Sequence, residues 1–313
     1  MEPIAELRKR KKTYAAVKIA AAFVVLAVMG VTGVSTYVGW ALTHPSHKPL
    51  NATPSDMGMN YESIAFRNND GLTLRGWSIA AAHNGYSPNG KTVVYVHSYQ
   101  SNRLEEGVGI LSLVSELLPK GYNAILFDMR ANGESEGKLS SIGYLEKDDV
   151  LAAVDKARQL FPKDKLIVHG FSMGASTAIL AAGENEEIAA VIADSPFDNL
   201  KPFLQDNLSH WSGLPNFPFT PMILGVMPLL TGIEVEKVNP KEAAERLTDR
   251  QSLFLIHGLA DSAIPYASSE ALDQASGSPS TTIWLVPGAD HVNSRKVDPE
   301  TYDRKTMEFL DGL

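Results

Sequence analysis

The chain of 313 residues contains no cysteine. Disulfide bonds, thiolate metal sites, a thiol nucleophile and a lipid anchor on cysteine are therefore all excluded. Positive charge is scarce beyond the amino terminus: residues 1–18 carry six Lys or Arg and two Glu, whereas the remainder carries 22 basic and 34 acidic residues. Because phosphate backbones attract a basic surface, this acidic body argues against nucleic acid as a partner.

Charge is missing altogether from residues 19–42, which follow the basic cluster Arg8–Lys12. At about 1.5 Å per residue such a helix is about 36 Å long, enough to cross a hydrocarbon core of about 30 Å. Tyr37 and Trp40 stand near its far end, where aromatic rings favour the membrane interface. The sequence predicts a cytoplasmic segment at 1–18, a single membrane anchor and a body outside the cell. A cleaved signal peptide is the alternative, but this run is longer than a signal core.

From residue 60 to residue 313, short apolar runs alternate with helix-like segments. The exported domain is expected over these residues, after a Pro- and Ser-rich linker at 43–59 that reads as a tether. A hairpin around Asn68–Gly71 opens the series. Because the alternation then continues, it predicts a mostly parallel eight-stranded sheet flanked by helices. The later strands are expected at 92–97, 123–128, 165–170, 189–194, 252–258 and 281–288, and the helices at about 104–119, 144–160, 173–183, 266–275 and 298–311.

A long interval without a strand-like run interrupts this rhythm at about 198–250. An insertion of this length in a compact domain is usually functional, so a helical cap is predicted there. Packing of the cap on the core is the leading interpretation of its large apolar residues; a wall for an apolar substrate and contact with the membrane are the alternatives. These residues are Trp211, Phe217, Phe219, Met222, Ile223, Leu224, Met227, Leu229 and Leu230, of which Trp211, Phe217 and Phe219 are the candidates for substrate binding.

One serine stands between two glycines, in the stretch VHGFSMGAS at Val168–Ser176. An apolar strand precedes Ser172 and a helical pattern follows it, which is the setting of a sharp strand-to-helix turn that exposes a nucleophile. Serine alone is a weak nucleophile near neutral pH, so it needs an adjacent base and an orienting acid. Asp261 and His291 follow the last two core strands and are expected at the same edge of the sheet. Asp290 competes with Asp261 for the role of the acid.

The elbow, the later Asp and His and the order of strands together resemble the α/β-hydrolase superfamily. Within it, the chain is similar to bacterial membrane-anchored members of the esterase and serine aminopeptidase-like branch, over about residues 60–313. The resemblance implies Ser172 as nucleophile, His291 as general base and acid, and Asp261 as the orienting carboxylate. It also implies an oxyanion hole formed by the N–H groups of Tyr99 and Met173, with no cofactor.

Three departures from the family pattern leave a second class of function open. Ser98 stands where glycine is usual, and Ala131 and Asn132 replace Gly and His in the turn FDMRANGESEG. This turn is interpreted as structural. The departures are compatible with a non-catalytic envelope binding protein on a hydrolase fold.

Histidines at three strand ends need a separate explanation. His97, His169 and His257 are interpreted as hydrogen-bonding groups that shape loops, because no carboxylate spacing nearby completes a metal site. Ser195 lacks flanking glycines and is expected to begin the cap.

The expected function is cleavage of an acyl ester, thioester or amide in a small-molecule or lipid substrate. A serine peptidase of the aminopeptidase type is the alternative enzyme.

Overall fold

A computed structural model describes residues 4–313, with side chains from Leu7 onward. Within these residues the apolar runs form one sheet of eight strands in the spatial order β1-β2-β4-β3-β5-β6-β7-β8. The strands are β1 (Glu62–Arg67), β2 (Thr73–Ile79), β3 (Lys91–Val96), β4 (Asn123–Phe127), β5 (Lys165–Phe171), β6 (Ile188–Asp194), β7 (Ser252–Gly258) and β8 (Thr281–Val286).

The sheet is antiparallel at one edge and parallel elsewhere. β1 pairs with β2 and β2 with β4 in antiparallel fashion, whereas every pairing from β4 through β3 to β8 is parallel. Near-continuous apolar runs in the parallel strands reflect burial on both faces of the sheet. The predicted hairpin and the mostly parallel eight-stranded sheet are confirmed.

Helices connect the strands and cover the sheet. Most predicted helices begin and end within two residues of their expected bounds, but α2 begins six residues late. The positive φ angles of Glu105 (35°) and Gly109 (75°) keep the preceding segment in turns. The helices are α1 (Ile4–Thr43), α2 (Ile110–Leu117), α3 (Glu146–Leu160), α4 (Met173–Ala182), α5 (Leu200–Ser212), α6 (Asn216–Thr231), α7 (Pro240–Glu245), α8 (Ala267–Ala275), α9 (Ser294–Val297) and α10 (Pro299–Asp311).

The chain divides into two compact units. One, the sheet unit, comprises Thr43–Phe203 and Glu234–Leu313 and contains all eight strands. The other, the helical unit, comprises the amino-terminal segment to Leu42 together with Leu204–Ile233. The helical unit therefore takes only the middle of the insertion predicted at 198–250.

The segment predicted as a tether at 43–59 is part of the sheet unit. Its first carbonyl, that of Thr43, accepts a hydrogen bond from the N–H of Ser140 at 2.8 Å. Leu50 and Ala52 pack against the apolar core. The tether prediction was wrong because Pro and Ser content reports flexibility only where no apolar side chain finds a partner.

α1 is longer than the predicted anchor, because the basic residues before residue 19 continue the same helix. Its stretch Leu7–Thr43 is long and apolar enough to be a candidate membrane span. The helical unit also contains most of α5 and all of α6, which bend against each other by 117°.

The turn after β4 is held by a buried ion pair. The Asp128 carboxylate accepts hydrogen bonds from the backbone N–H and the guanidinium of Arg103, and both side chains are almost fully buried. It also accepts from the N–H of Glu134 at 2.8 Å. The loop after β3 is tied to the same turn, since the N–H of Met129 donates to His97 Nε2 at 3.0 Å. These contacts agree with a structural interpretation of this turn.

We expect Asp128→Ala to lower the free energy of unfolding by about 3–5 kcal/mol, because the buried Arg103 guanidinium then loses its buried partner and keeps only the exposed Glu134 carboxylate. Chemical unfolding of the intact protein in detergent, followed by tryptophan fluorescence, measures this change. Glu308→Ala is the control, since it removes the exposed pair between Arg304 and Glu308. Equal effects of the two variants would contradict a stabilising role of the buried pair.

Candidate active site

Ser172 lies at the turn between β5 and α4. Its φ of 52° and ψ of −118° give Ser172 a backbone conformation that non-glycine residues rarely adopt. The N–H of Ser172 donates to the carbonyl oxygen of Asp194 at 2.8 Å, which ties the turn to the end of β6. The serine is 8% exposed, so it is buried apart from a small accessible area.

The two glycines of the motif are required by close backbone approaches. A Cβ on Gly170 would collide with the backbone of Gly174 and Ala175. A Cβ on Gly174 would collide with the carbonyl groups of Val96 and His97 at the end of β3. Because the obstacles are backbone atoms, no side-chain rearrangement relieves them. The glycine spacing thus follows from the sharpness of the turn.

His291 lies between Ser172 and Asp261. Its Nε2 is 2.8 Å from Ser172 Oγ, and its Nδ1 is 2.8 Å from Asp261 Oδ2. The three residues come from the loops after β8, β5 and β7, whose carboxyl ends meet at one edge of the sheet. The structure therefore brings together the three side chains that the sequence singles out. In this arrangement His291 can take a proton from the serine while the carboxylate holds its other nitrogen.

The Asp261 side chain is fully buried, and its carboxylate is in contact with four donor groups. Its Oδ1 accepts from the backbone N–H groups of Ala263 and Ile264 at 2.9 and 2.8 Å. Burial acts to raise the pKa of Asp261, but hydrogen bonds from His257 and His291 outweigh it and hold the pKa below its usual value. The carboxylate therefore stays ionised at neutral pH and faces His291 as a fixed negative charge.

His257 contributes to the site in a way that the sequence did not reveal. Its Nε2 lies 3.2 Å from Asp261 Oδ2 and 3.0 Å from the carbonyl oxygen of Ile264, and its Nδ1 lies 2.7 Å from Ser269 Oγ. The carboxylate is thus shared by two histidines. The only sequence signal was the four-residue spacing from His257 to Asp261 across the end of β7, which also fits a loop-shaping residue.

Asp290, the competing acid, is bound elsewhere. Its Oδ1 accepts from the N–H and the hydroxyl of Ser262, each at 2.9 Å, and from the backbone N–H of His291 at 2.8 Å. These contacts join the loops after β7 and β8. The imidazole ring of His291 contacts the carboxylate of Asp261, whereas Asp290 contacts the backbone N–H of His291.

The candidate oxyanion donors come from two loops. Met173 is the first residue of α4, so its N–H lies at the helix amino terminus, where N–H groups lack intrahelical partners. Tyr99 lies in the loop after β3, and burial raises the pKa of its phenol to about 12. The N–H of Ser98 donates to the Glu105 carboxylate at 2.5 Å. Ser98 N–H is thereby engaged away from the site, and the assignment of Tyr99 stays a prediction.

His97 and His169, the other two histidines that the sequence singles out, each have a hydrogen-bonding partner. His97 Nδ1 lies 2.7 Å from the carbonyl oxygen of Ser98. His169 Nε2 lies 3.1 Å from the Tyr302 hydroxyl, and burial lowers the pKa of His169 to about 3, so its ring is neutral. Over residues 4–313, no cluster of three or more His, Asp or Glu could hold a metal ion. The contact of His97 is within its own loop, whereas that of His169 reaches Tyr302 in α10, so the interpretation as a loop-shaping group fits His97 and not His169.

The substrate-binding candidates of the cap lie in the helical unit. Trp211 is in α5, and Phe217 and Phe219 are in α6, with Phe217 82% exposed. Their role in binding a substrate stays a prediction.

Asp194 and Ser195 form a second polar pair behind the turn at Ser172. The Ser195 hydroxyl donates to Asp194 Oδ1 at 3.0 Å and accepts from the N–H of Val292 at 3.2 Å. Ser195 thus connects the end of β6 to the residue after His291 and does not begin the cap, whose first helix starts at Leu200. Burial raises the pKa of Asp194 to about 6, against the lowering effect of the Ser195 hydrogen bond.

This raised pKa predicts a pH-dependent stability. The folded protein holds the Asp194 proton more tightly than the unfolded chain, whose aspartate has a pKa of about 3.9. The stabilisation is complete below about pH 4 and is lost as the pH rises through about 6. The unfolding free energy of the wild type minus that of Asp194→Asn should therefore fall by on the order of 3 kcal/mol from about pH 4 to about pH 7, then stay constant. Chemical unfolding across this range measures the difference; a flat difference would contradict the assignment.

Comparisons with known proteins agree with this fold. A family model described as the alpha/beta hydrolase fold matches residues 91–217. The uncharacterized protein YqkD of Bacillus subtilis is 30% identical over 246 residues, which cover 78% of this chain and 77% of YqkD. The protein YfhR of Salmonella typhimurium is 30% identical over 270 residues, covering 81% of each chain.

Solved structures show the same architecture. The esterase Pf2001 of Pyrococcus furiosus is 29% identical, with a TM-score of 0.72 over 87% of this chain and 98% of the esterase. Est1E of Butyrivibrio proteoclasticus, solved with ferulic acid bound, is 17% identical with a TM-score of 0.59 over 79% of this chain and 99% of Est1E, which supports the fold alone. The fold and the similarity to an esterase support hydrolase activity. This chain therefore belongs to the α/β-hydrolase superfamily.

Proposed function

We propose that the protein is a serine hydrolase that cleaves acyl esters, with Ser172, His291 and Asp261 as a catalytic triad. One observation carries the proposal: a single imidazole lies 2.8 Å from a serine hydroxyl on one side and 2.8 Å from a buried carboxylate on the other. A serine, an imidazole and a carboxylate linked in this way activate a hydroxyl that is otherwise a weak nucleophile. Similarity to the esterase Pf2001 supports the ester as the scissile bond.

In the first step, the serine oxygen attacks the carbonyl carbon of the ester. His291 Nε2 takes the proton from Ser172 Oγ as the new C–O bond forms, and the carbonyl oxygen becomes an oxyanion. The N–H groups of Met173 and Tyr99 are proposed to stabilise that charge. Donors of this kind each contribute about 3–4 kcal/mol to the transition state.

Collapse of this intermediate breaks the bond to the leaving alcohol. His291 gives its proton to the departing oxygen, which leaves an ester between the acyl group and Ser172. A water molecule then attacks this acyl-enzyme while His291 takes a proton from it. A second collapse returns the proton to Ser172 and releases the carboxylic acid, so the cycle needs no cofactor.

Asp261 acts through His291. Its ionised carboxylate holds the Nδ1–H tautomer, which leaves Nε2 free of a proton to receive one from Ser172. It also stabilises the positive charge that the ring gains during the reaction. The contact with His257 fixes the carboxylate itself, so His257 is proposed as a positioning residue.

We also propose that α1 anchors the enzyme in a cell membrane with the sheet unit outside. The candidate span Leu7–Thr43 carries its basic cluster at the amino-terminal side only. Basic flanks of short segments stay in the cytoplasm, so the chain that follows the span is exported.

A fluorophosphonate probe tests the nucleophile. The intact protein in detergent should be labelled covalently, while Ser172→Ala should lose labelling and His291→Ala should lose nearly all of it, because the base is then missing. Ser115→Ala, which changes a serine of α2 outside the site, is the matched control and should label like the wild type. Labelling is read by in-gel fluorescence.

Failure of the folded wild type to label would favour the non-catalytic binding protein. If labelling succeeds, acyl esters and aminoacyl-arylamides are compared as substrates. Faster cleavage of the arylamides would overturn the proposal of an esterase and favour a peptidase.

Exchange of each candidate acid for its amide tests the assignment of Asp261. Asp261→Asn should lower kcat for an ester by roughly three to four orders of magnitude, because an amide can stabilise the wrong tautomer of His291. Asp290→Asn keeps the shape of its loop and should lower kcat less than about tenfold. Steady-state ester hydrolysis by both variants measures this; a larger loss in Asp290→Asn would transfer the role to Asp290.

A further inference from the structure

The Leu204–Ile233 segment of the helical unit exposes an apolar surface. No Asp, Glu, Lys or Arg occurs from Asn207 to Ile233. Within α6, Phe217 is 82% exposed, Leu229 85% and Leu230 60%. A helix at a water-facing surface normally carries charged or polar side chains on its outer face. Large exposed apolar side chains at both ends of a charge-free helix mark a surface that meets another apolar medium.

α6 packs on the carboxyl-terminal part of α1. A Cβ on Gly39 would collide with the side chain of Met227 and would lie 3.3 Å from Ile223 Cγ2, so the absence of a side chain lets the two helices approach closely. One contact lies further back along α1, where Thr32 Oγ1 is 3.8 Å from Met222 Sδ. Small residues at such a crossing are typical of helix pairs in membranes.

The buried residues of α6 lie on the face that contacts α1. The buried residues of α6 are Thr220, Ile223 and Met227, spaced three and four residues apart. This spacing puts them on one side of the helix. The exposed Leu229 and Leu230 point in other directions from the helix axis. α6 is therefore apolar around most of its circumference, but its buried residues lie along one stripe.

The position of the contact between α6 and α1 along the candidate span can be expressed as a depth in the bilayer. The charge-free run of α1 begins at Ile19. At about 1.5 Å per residue, Thr32 lies about 20 Å and Gly39 about 30 Å along the helix from that point. With a hydrocarbon core of about 30 Å, α6 meets α1 in the half of the bilayer distal to the basic cluster. Tyr37 and Trp40 are exposed at the same level, and aromatic rings favour that interface.

The points where Leu204–Ile233 joins the rest of the chain rule out a single crossing of the bilayer by this segment. Phe203 before it and Glu234 after it both belong to the sheet unit, so the chain must enter and leave on one side. α5 and α6 together have the length and composition of a span that is broken by a 117° bend, as in a re-entrant hairpin. Helical hydrogen bonding satisfies most of the backbone in such a hairpin, as an apolar medium requires.

We infer that Leu204–Ile233 is a second membrane-contact element, a re-entrant hairpin whose exposed face meets the acyl chains of the distal leaflet. The inference rests on the proposed anchoring of α1 and does not depend on the catalytic role of Ser172. Lipid is the occupant that fits, because the stripe of α6 that is covered lies on the candidate span and the rest of its surface offers no charge to a polar partner.

Single-cysteine variants test this placement, since the natural chain has no cysteine to remove. Leu229→Cys and Phe217→Cys each carry an environment-sensitive NBD fluorophore in the intact protein, reconstituted into phosphatidylcholine vesicles. Val25→Cys, in the exposed middle of α1, is the membrane control, and Glu186→Cys, an exposed residue of the sheet unit, is the aqueous control. Quenching is measured with phospholipids that carry a nitroxide on the acyl chain near the headgroup.

Blue-shifted emission at Leu229 and Phe217, with a loss of intensity to nitroxide lipid comparable to that at Val25, is the expected result. Emission like that of the Glu186 label would overturn the inference. Blue-shifted emission without quenching would also overturn it, since protein, such as a second copy of the chain, would then cover this face. An unquenched label at Val25 would overturn both the proposed membrane anchoring by α1 and this inference. Fluorophosphonate labelling of the same variants reports separately on the proposed catalytic function.

Discussion

The hydrogen bond between Ser172 Oγ and His291 Nε2, 2.8 Å long, joins residues that are 119 positions apart in the chain. It exists only because β5 and β8 end at the same edge of one sheet and because the turn after β5 is sharp enough to raise the serine above that edge. Small displacements of reacting groups cost large factors in rate. The rigid parallel sheet beneath the loops supplies the accuracy that this alignment requires.

Beneath this alignment, the charge of Asp261 is fixed by more than one partner. Two backbone N–H groups and two histidines surround the buried carboxylate. A buried carboxylate would otherwise favour its neutral form, which could not hold a histidine in the required tautomer. Nearby, Asp194 has fewer compensating donors and its pKa moves in the opposite direction. The two aspartates show how hydrogen bonding, and not burial alone, decides which carboxylate remains ionised.

Sequence patterns predicted the sheet well because parallel strands are buried on both faces and appear as uninterrupted apolar runs. They also singled out Ser172, His291 and Asp261, since each follows such a run. The sequence could not predict His257 as a partner of Asp261, because that contact depends on how the loop from Gly258 to Ile264 folds back. Nor could it predict that α6 packs on α1: both are simply apolar, and the meeting of Gly39 with Met227 is a tertiary contact between distant segments. The prediction of a tether at 43–59 was wrong for the same reason, since the residues that Leu50 and Ala52 pack against lie far away in the chain.

The close approach at Gly174 has a consequence for how this site can change in evolution. The atoms that a larger residue would strike there are the carbonyl groups of Val96 and His97, which lead directly into the loop that contains Tyr99. A substitution at Gly174 would therefore displace the backbone at the end of β3 and the loop that follows it. Variation in one of these two segments is tolerable only with a matching change in the other, so they are expected to be inherited as a single unit.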